Sequence, residues 1–318
     1  MRRIATTGLT LRVLLTSALV FGVVAGVLGV LLWSSGVKGA AGIGAWLGIS
    51  LIFLFIQWWF GPTLIRWSTG AREVSEREAP QLHALVSRLA KLAGVPKPKL
   101  LIVNSPTPNA FAFGRTQASS YVAVHTGLLE RLNKEEVEAV LAHEIAHIRH
   151  RDVAVMTVAS TLPVMLYYAF ILFGGSLLGG RDREDRMGYI TVWLGAMLAQ
   201  FLGTLLVMFL SRMREYYADA FSAYATGKPL ALASALVKIT YFPAREARSP
   251  VMALYVAEPG ARGLSHELAT AIAHGDERAL HEAIEREKER GALELFMTHP
   301  LTWKRLSALM RIYREMAA

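Results

Sequence analysis

In the stretch AHEIAHIRHRD, residues 142 to 152, His143 and His147 stand four positions apart and Glu144 follows the first of them. On an α-helix, residues four apart lie one turn above another on the same face, so two imidazoles can point at one metal ion. Glu144, one position round, can then reach a water held by that ion, as a general base must. The flanking residues support the helix. Asn133 followed three residues later by Glu136 resembles a capping box, which starts a helix near Lys134. Val137, Val140, Leu141, Ile145 and Ile148 continue it at helical spacing.

Two histidines and a glutamate at this spacing also arise by accident on helix surfaces, so a catalytic reading requires a third ligand. The chain has no Cys, which excludes disulfides and thiolate ligands and leaves His and carboxylates to hold any metal. SRMREYYADAF, residues 211 to 221, offers Glu215, with Asp219 one turn later. Two His and one Glu form an established hydrolytic zinc set that leaves the fourth position to water.

The elements that must position these residues include membrane segments. A hydrophobic fraction of 53%, a mean hydropathy of +0.35 and only 19% charged residues exceed what a soluble domain carries. Four uncharged runs, Val13 to Val37, Gly39 to Ile65, Val153 to Gly180 and Met187 to Ser211, are each long enough to cross a bilayer. The first could alternatively be a cleaved signal peptide behind Arg2, Arg3 and Arg12, although it is longer than a usual signal core and lacks a clear cleavage site. Basic residues at the N-terminus and after the second run place both regions in the cytoplasm. The loop GGRDREDRM complicates that topology, since its Arg are balanced by Asp182, Glu184 and Asp185. Trp58, Trp59 and Trp67 cluster where the second run ends, as interfacial or ordinary packing aromatics. The net charge of +9 matches cytoplasmic flanks facing anionic lipid; no basic, aromatic-interleaved stretch points to nucleic acid.

The spans also explain how the two motifs meet. The histidine helix ends about five residues before the third run, and Glu215 follows the fourth by about four. At 1.5 Å per residue, both sit within roughly 10 Å of one membrane face. The intervening out-and-back hairpin returns Glu215 to the side that His147 left.

Between the hairpins the pattern Leu82, Leu85, Val86, Leu89, Leu92 predicts an amphipathic helix over 71–93, stopped by Gly94 and Pro96. KLLIVNS, NAFAFG and SSYVAVHTGLL read as three strands. Beyond Thr226 the chain is mostly helical, and GDERALHEAIEREKERGALE reads as a solvated surface helix. The expected domains are a transmembrane hairpin at 1–65, a first protease part at 66–152, a second hairpin at 153–211 and a second protease part at 212–318.

HEIAHIRHRD, SRMREYYADAF, NAFAFG and THPLTWKRL, in this order, resemble the HtpX family of bacterial membrane-bound zinc endopeptidases, and more distantly the CAAX prenyl proteases. The resemblance covers most of the chain. It implies a mainly α-helical integral membrane protein of about four transmembrane helices, carrying a gluzincin-like α+β metalloprotease domain with a small β-sheet. It implies His143, His147 and Glu215 as ligands of one Zn2+, Glu144 as general base, and Asp219 as a carboxylate supporting one ligand. His299 is expected to stabilise the oxyanion with help from Arg305; a structural His before a helix-starting Pro and a surface Arg are the bland alternatives. Asn109, Ala110, Phe111, Ala112 and Phe113 are expected to form an edge strand that a peptide joins, with plain sheet packing the alternative for the two Phe side chains. His125 stands where relatives more often have a small hydroxyl residue. His150 reads as a surface or headgroup-facing residue, and Arg151 and Asp152 as interfacial anchors, with Asp152 a possible partner for an Arg.

The expected activity is therefore hydrolysis of peptide bonds in membrane or misfolded proteins, at the cytoplasmic face of the cell membrane, in quality control or stress response. A zinc site inside the bilayer fits poorly with the dense charges around HEIAH. The rival from another class is a membrane scaffold with a structural zinc, which normally takes four protein ligands and has no need of Glu144.

Overall fold

A computed structural model describes residues 40–159, 186–241 and 300–317, together with 162, 163, 165–167, 170, 171, 276, 278, 279, 281 and 282. The run Val13 to Val37, most of the surface-helix stretch, and His266, His274 and His299 lie outside the described residues. The chain divides into two compact units, one of residues 1–9, 61–154 and 211–318, the other of residues 10–60 and 155–210.

The described elements are mostly helical. In order they are α1 (Ala40–Thr69), β1 (Arg72–Glu73), α2 (Pro80–Ala93), β2 (Lys99–Val103), β3 (Ala110–Gly114), β4 (Ser120–His125), α3 (Thr126–Arg131), α4 (Lys134–Arg149), α5 (Asp152–Ala159), α6 (Arg186–Thr226), α7 (Pro229–Tyr241) and α8 (Thr302–Ala317). Among the described residues, one helix is long and apolar enough to cross a membrane, the Ile190–Thr226 portion of α6. In the smaller unit, Gly203 of this helix lets the backbone of Pro163 approach so closely that a Cβ there would sit 2.9 Å from its Cα.

The sheet runs β1-β2-β4-β3. β2 and β4 are parallel, while β1 joins β2 and β3 joins β4 antiparallel. Strand alternation splits its side chains between two faces. Leu100, Ala110, Val122 and Val124 join the main core with Val86 and Leu89 of α2 and Val140, Leu141 and Ile145 of α4. Leu101, Val103, Phe113 and Ala123 face the other way, against Ile65 at the end of α1, Ala71, Phe111 and Tyr121.

Two elements depart from the sequence reading. The amphipathic helix begins at Pro80 rather than Ala71, because Arg72 and Glu73 pair with Ile102 and Leu101 as a short outer strand. Proline at a first helical position gives up an amide that has no partner there, and Gly94, in the left-handed region at φ +66°, ends the helix. The third strand stops at His125, and the following TGLLER turns into α3.

Gly127, in the first turn of α3, lies under the loop that leads into β3, donating its N–H to the Ser105 carbonyl at 2.9 Å. A Cβ at this position would sit 2.1 Å from the backbone oxygen of Pro106. Backbone cannot rotate away as a side chain can, so Gly127→Ala is expected to destabilise the protein by about 1–3 kcal/mol, the usual cost of overpacking. Thermal unfolding in detergent checks this; an unchanged midpoint would mean the loop moves freely.

Candidate active site

α4 carries the histidine motif. Asn133 Oδ1 accepts from the Glu136 amide and Glu136 Oε2 from the Asn133 amide, both at 2.9 Å, so the helix start is closed by its own sequence. Glu136 is itself buried and bound by Ser234 Oγ at 2.6 Å and Lys238 Nζ at 2.7 Å, which ties α4 to α7. At the other end, Gln117 Nε2 donates to the carbonyls of Ile148 and Arg149, fastening the β3–β4 turn to the end of α4. Ser222 Oγ donates to the Ala139 carbonyl at 2.6 Å and sets α6 beside α4.

This framework brings three donors to one point. His143 Nε2 and His147 Nε2 are 3.2 Å apart, and Glu215 places Oε2 3.6 Å from the first and Oε1 3.5 Å from the second. Ligands held tetrahedrally at about 2.0–2.1 Å from a zinc ion stand about 3.3 Å apart, so the spacing fits such an ion. The outer nitrogens explain the polarity of the site. His143 Nδ1 lies 2.9 Å from Asp219 Oδ1, and His147 Nδ1 lies 2.5 Å from Asp152 Oδ2. A carboxylate at Nδ1 holds the proton there and leaves Nε2 with a bare lone pair. Two lone pairs and a carboxylate then face one another in a site where His143 and Glu215 are buried, an arrangement that calls for a cation.

Glu144 is also buried, and its Oε2 accepts from the Ala112 amide at 3.2 Å. That bond defines how β3 faces the site. The His125 amide donates to the Asn109 carbonyl at 2.9 Å, and the antiparallel register pairs Phe111 with Ala123 and Phe113 with Tyr121. Bonded and non-bonded pairs alternate, so Asn109, Phe111 and Phe113 turn their backbone groups toward β4. Ala110, Ala112 and Gly114 turn theirs outward, along an edge where no other strand pairs among the described residues. Phe111 and Phe113 sit on one sheet face with ring centroids 5.6 Å apart.

Arg305, from α8, is buried and reaches both acidic groups on α6. Its Nε and Nη2 donate to Asp219 Oδ2 and Oδ1 at 2.7 and 2.5 Å, and its Nη1 lies 2.9 Å from Glu215 Oε2. Burial alone would pull this guanidinium down, but Asp219 and Glu215 more than offset it and hold it above its ordinary value. Its N–H groups are thus directed at Glu215 and at the carboxylate behind His143. His150 is half-buried with its ring 6.3 Å from Tyr217, outside the ligand cluster. His125 is a core residue, with Nδ1 3.0 Å from the Thr107 carbonyl; burial pushes it below the usual imidazole range.

Sequence reading did not assign Asp152 to His147. Asp152 opens α5, pairs with Arg214, and Arg214 donates to the His150 carbonyl at 2.8 Å. The available signal was a carboxylate five residues after the second histidine, together with an Arg immediately before Glu215. Asp152→Asn is expected to weaken zinc affinity by about 10–100-fold, the usual effect of losing a carboxylate behind a ligand His. Competition with a chromogenic chelator measures it, and unchanged affinity would mean that Asp152 serves only Arg214.

A largely buried two-histidine, one-carboxylate cluster at the edge of a small mixed sheet, with a glutamate between cluster and edge strand, defines a metalloprotease. The chain belongs to peptidase family M48, whose pattern matches residues 76–313. It is 41% identical over 312 residues to the protease HtpX homolog of Moorella thermoacetica, covering 97% of this chain and 96% of that protein. The protease HtpX homolog of Methanothermobacter thermautotrophicus is 44% identical over 239 residues, covering 75% of this chain and 88% of the relative. The crystal structure of S. mikatae Ste24p shares the fold, with a TM-score of 0.53 at 17% identity, covering 97% of this chain and 67% of that one. As a protease, the protein acts on peptides or proteins.

Proposed function

We propose that this protein is a membrane-embedded zinc endopeptidase that cleaves membrane or misfolded proteins at the cytoplasmic face of the cell membrane, in quality control or stress response. The reading rests above all on the convergence of His143, His147 and Glu215 with a carboxylate behind each histidine. Zinc held by these residues would polarise the scissile carbonyl and lower the pKa of water toward about 7. Glu144 accepts the proton of the attacking water and passes it to the leaving amine, with no covalent intermediate. Asp219 and Asp152 keep the two imidazoles in the ligating tautomer, and Arg305 positions Glu215.

The peptide adds to the outer edge of β3, against the backbone of Ala110 and Ala112. Main-chain pairing is indifferent to side chains, which suits a protease acting on many sequences. His299 remains our candidate for the oxyanion. Four uncharged runs and the basic flanks of the first two support a multi-pass topology with the site on the cytoplasmic side.

The test is metal dependence. Detergent-purified protein, stripped by a chelator and dialysed, should lose cleavage of a loosely folded protein such as casein and regain it at about one zinc per chain. If zinc raises thermal stability while no unfolded or membrane substrate is cut at any metal load, a structural zinc in a scaffold becomes the better reading.

A further inference from the structure

The end of α1 and the turn after β3 border an open cleft of about 320 Å3, on the sheet face that carries Leu101, Val103 and Phe113. Arg66, Arg115, Trp67 and Tyr121 are among the described residues that line it. Both arginines are half-buried. The Arg66 guanidinium lies 5.5 Å from the centre of the Tyr121 ring, a cation–π contact that holds it at the wall. Two guanidiniums lining one cleft suit an anion with several oxygens, and arginine matches phosphate through paired N–H donors.

The surroundings narrow the source of that phosphate. Along the last turns of α1 leading to the cleft, Leu64 and Trp67 are exposed, Trp67 to 81%. Such a strip is costly in water and favourable against acyl chains, and Trp beside Arg at a helix end is the pattern of a membrane interface. The volume is at the small end for ligand cavities, enough for a headgroup whose chains remain outside. We propose that this cleft binds the phosphate-bearing headgroup of an anionic lipid, with Arg66 and Arg115 on its phosphate oxygens and its chains along the exposed face of α1. The assignment rests on the reading of α1 as a membrane span. It also places lipid beside the substrate strand, because Tyr121 stacks on Phe113 of β3 with centroids 5.1 Å apart.

Flotation with phosphatidylcholine vesicles, followed by native mass spectrometry of the full chain with equimolar phosphatidylglycerol and phosphatidylcholine, tests this. Wild type should float and retain phosphatidylglycerol about thirtyfold over phosphatidylcholine, as roughly 1 kcal/mol for each of the two Arg implies. The Arg66→Gln/Arg115→Gln double variant should float equally and lose the preference. Should that variant fail to fold, Arg66→Lys decides, since it keeps the charge but not the paired donors and should lower the preference about threefold. Equal retention of both lipids by wild type, or a preference unaltered in the variants, overturns the site. Displacement of the lipid by millimolar inorganic phosphate would identify a free anion as the occupant and overturn the lipid assignment. Failure of wild type to float would instead remove the membrane reading on which the proposal rests.

Discussion

Glu144→Ala is expected to abolish peptide cleavage while the protein keeps its metal. Glu144 stands outside the cluster of His143, His147 and Glu215, so its removal takes nothing from the ligand set. It does remove the group placed to accept a proton, and loss of a positioned general base costs roughly 10²–10⁴-fold in rate, about 3–5 kcal/mol of barrier. The alanine also leaves the Ala112 amide without its carboxylate partner, which could disturb the edge strand by itself. Glu144→Gln separates the two effects, because an amide oxygen still accepts from Ala112 but is far too weak a base. Both variants should bind zinc as wild type does and cut casein at the background rate. A glutamine variant with near wild-type cleavage would assign Glu144 to holding β3 instead. Glu215→Gln should behave in the opposite way and lose metal on dialysis, since it weakens a ligand.

Arg305→Ala is expected to damage the fold and the site together. Arg305 lies 86 residues from Asp219 in sequence and is its bidentate partner, with both side chains buried. Removing the guanidinium leaves Asp219 and Glu215 as neighbouring buried carboxylates without the cation that joins them, and breaking such a pair costs about 3–5 kcal/mol. That is a large share of the 5–15 kcal/mol that stabilises a typical domain, so poor yield and a lowered unfolding midpoint should follow. Zinc should recover part of the loss by supplying positive charge beside Glu215. Arg305→Lys should be intermediate, since it restores charge but cannot donate to both residues through a planar fork. An alanine variant with wild-type stability and metal content would show that water replaces the guanidinium at little cost.

What the sequence by itself determined is local. His143, Glu144 and His147 were legible as one constellation because the 3.6-residue period fixes which side chains share a helix face, and the Asn133 and Glu136 pair marked where that helix starts. Glu215 was legible because a third ligand was needed, no Cys could supply it, and this carboxylate follows directly on an uncharged run long enough to cross a bilayer. The tertiary structure decided the contacts between elements. It gave Asp219 to His143 and Asp152 to His147, and it turned Arg305 toward Glu215 and Asp219. It also formed β1 out of residues whose periodicity continued the following helix, because pairing with β2 outweighs a weak local preference. The sheet order, with β3 at the edge and its Ala112 amide on Glu144, belongs to the same class of facts. Spacing along one helix is set by covalent geometry, whereas the partner of a buried charge depends on which distant segments pack beside it, and no local pattern carries that information.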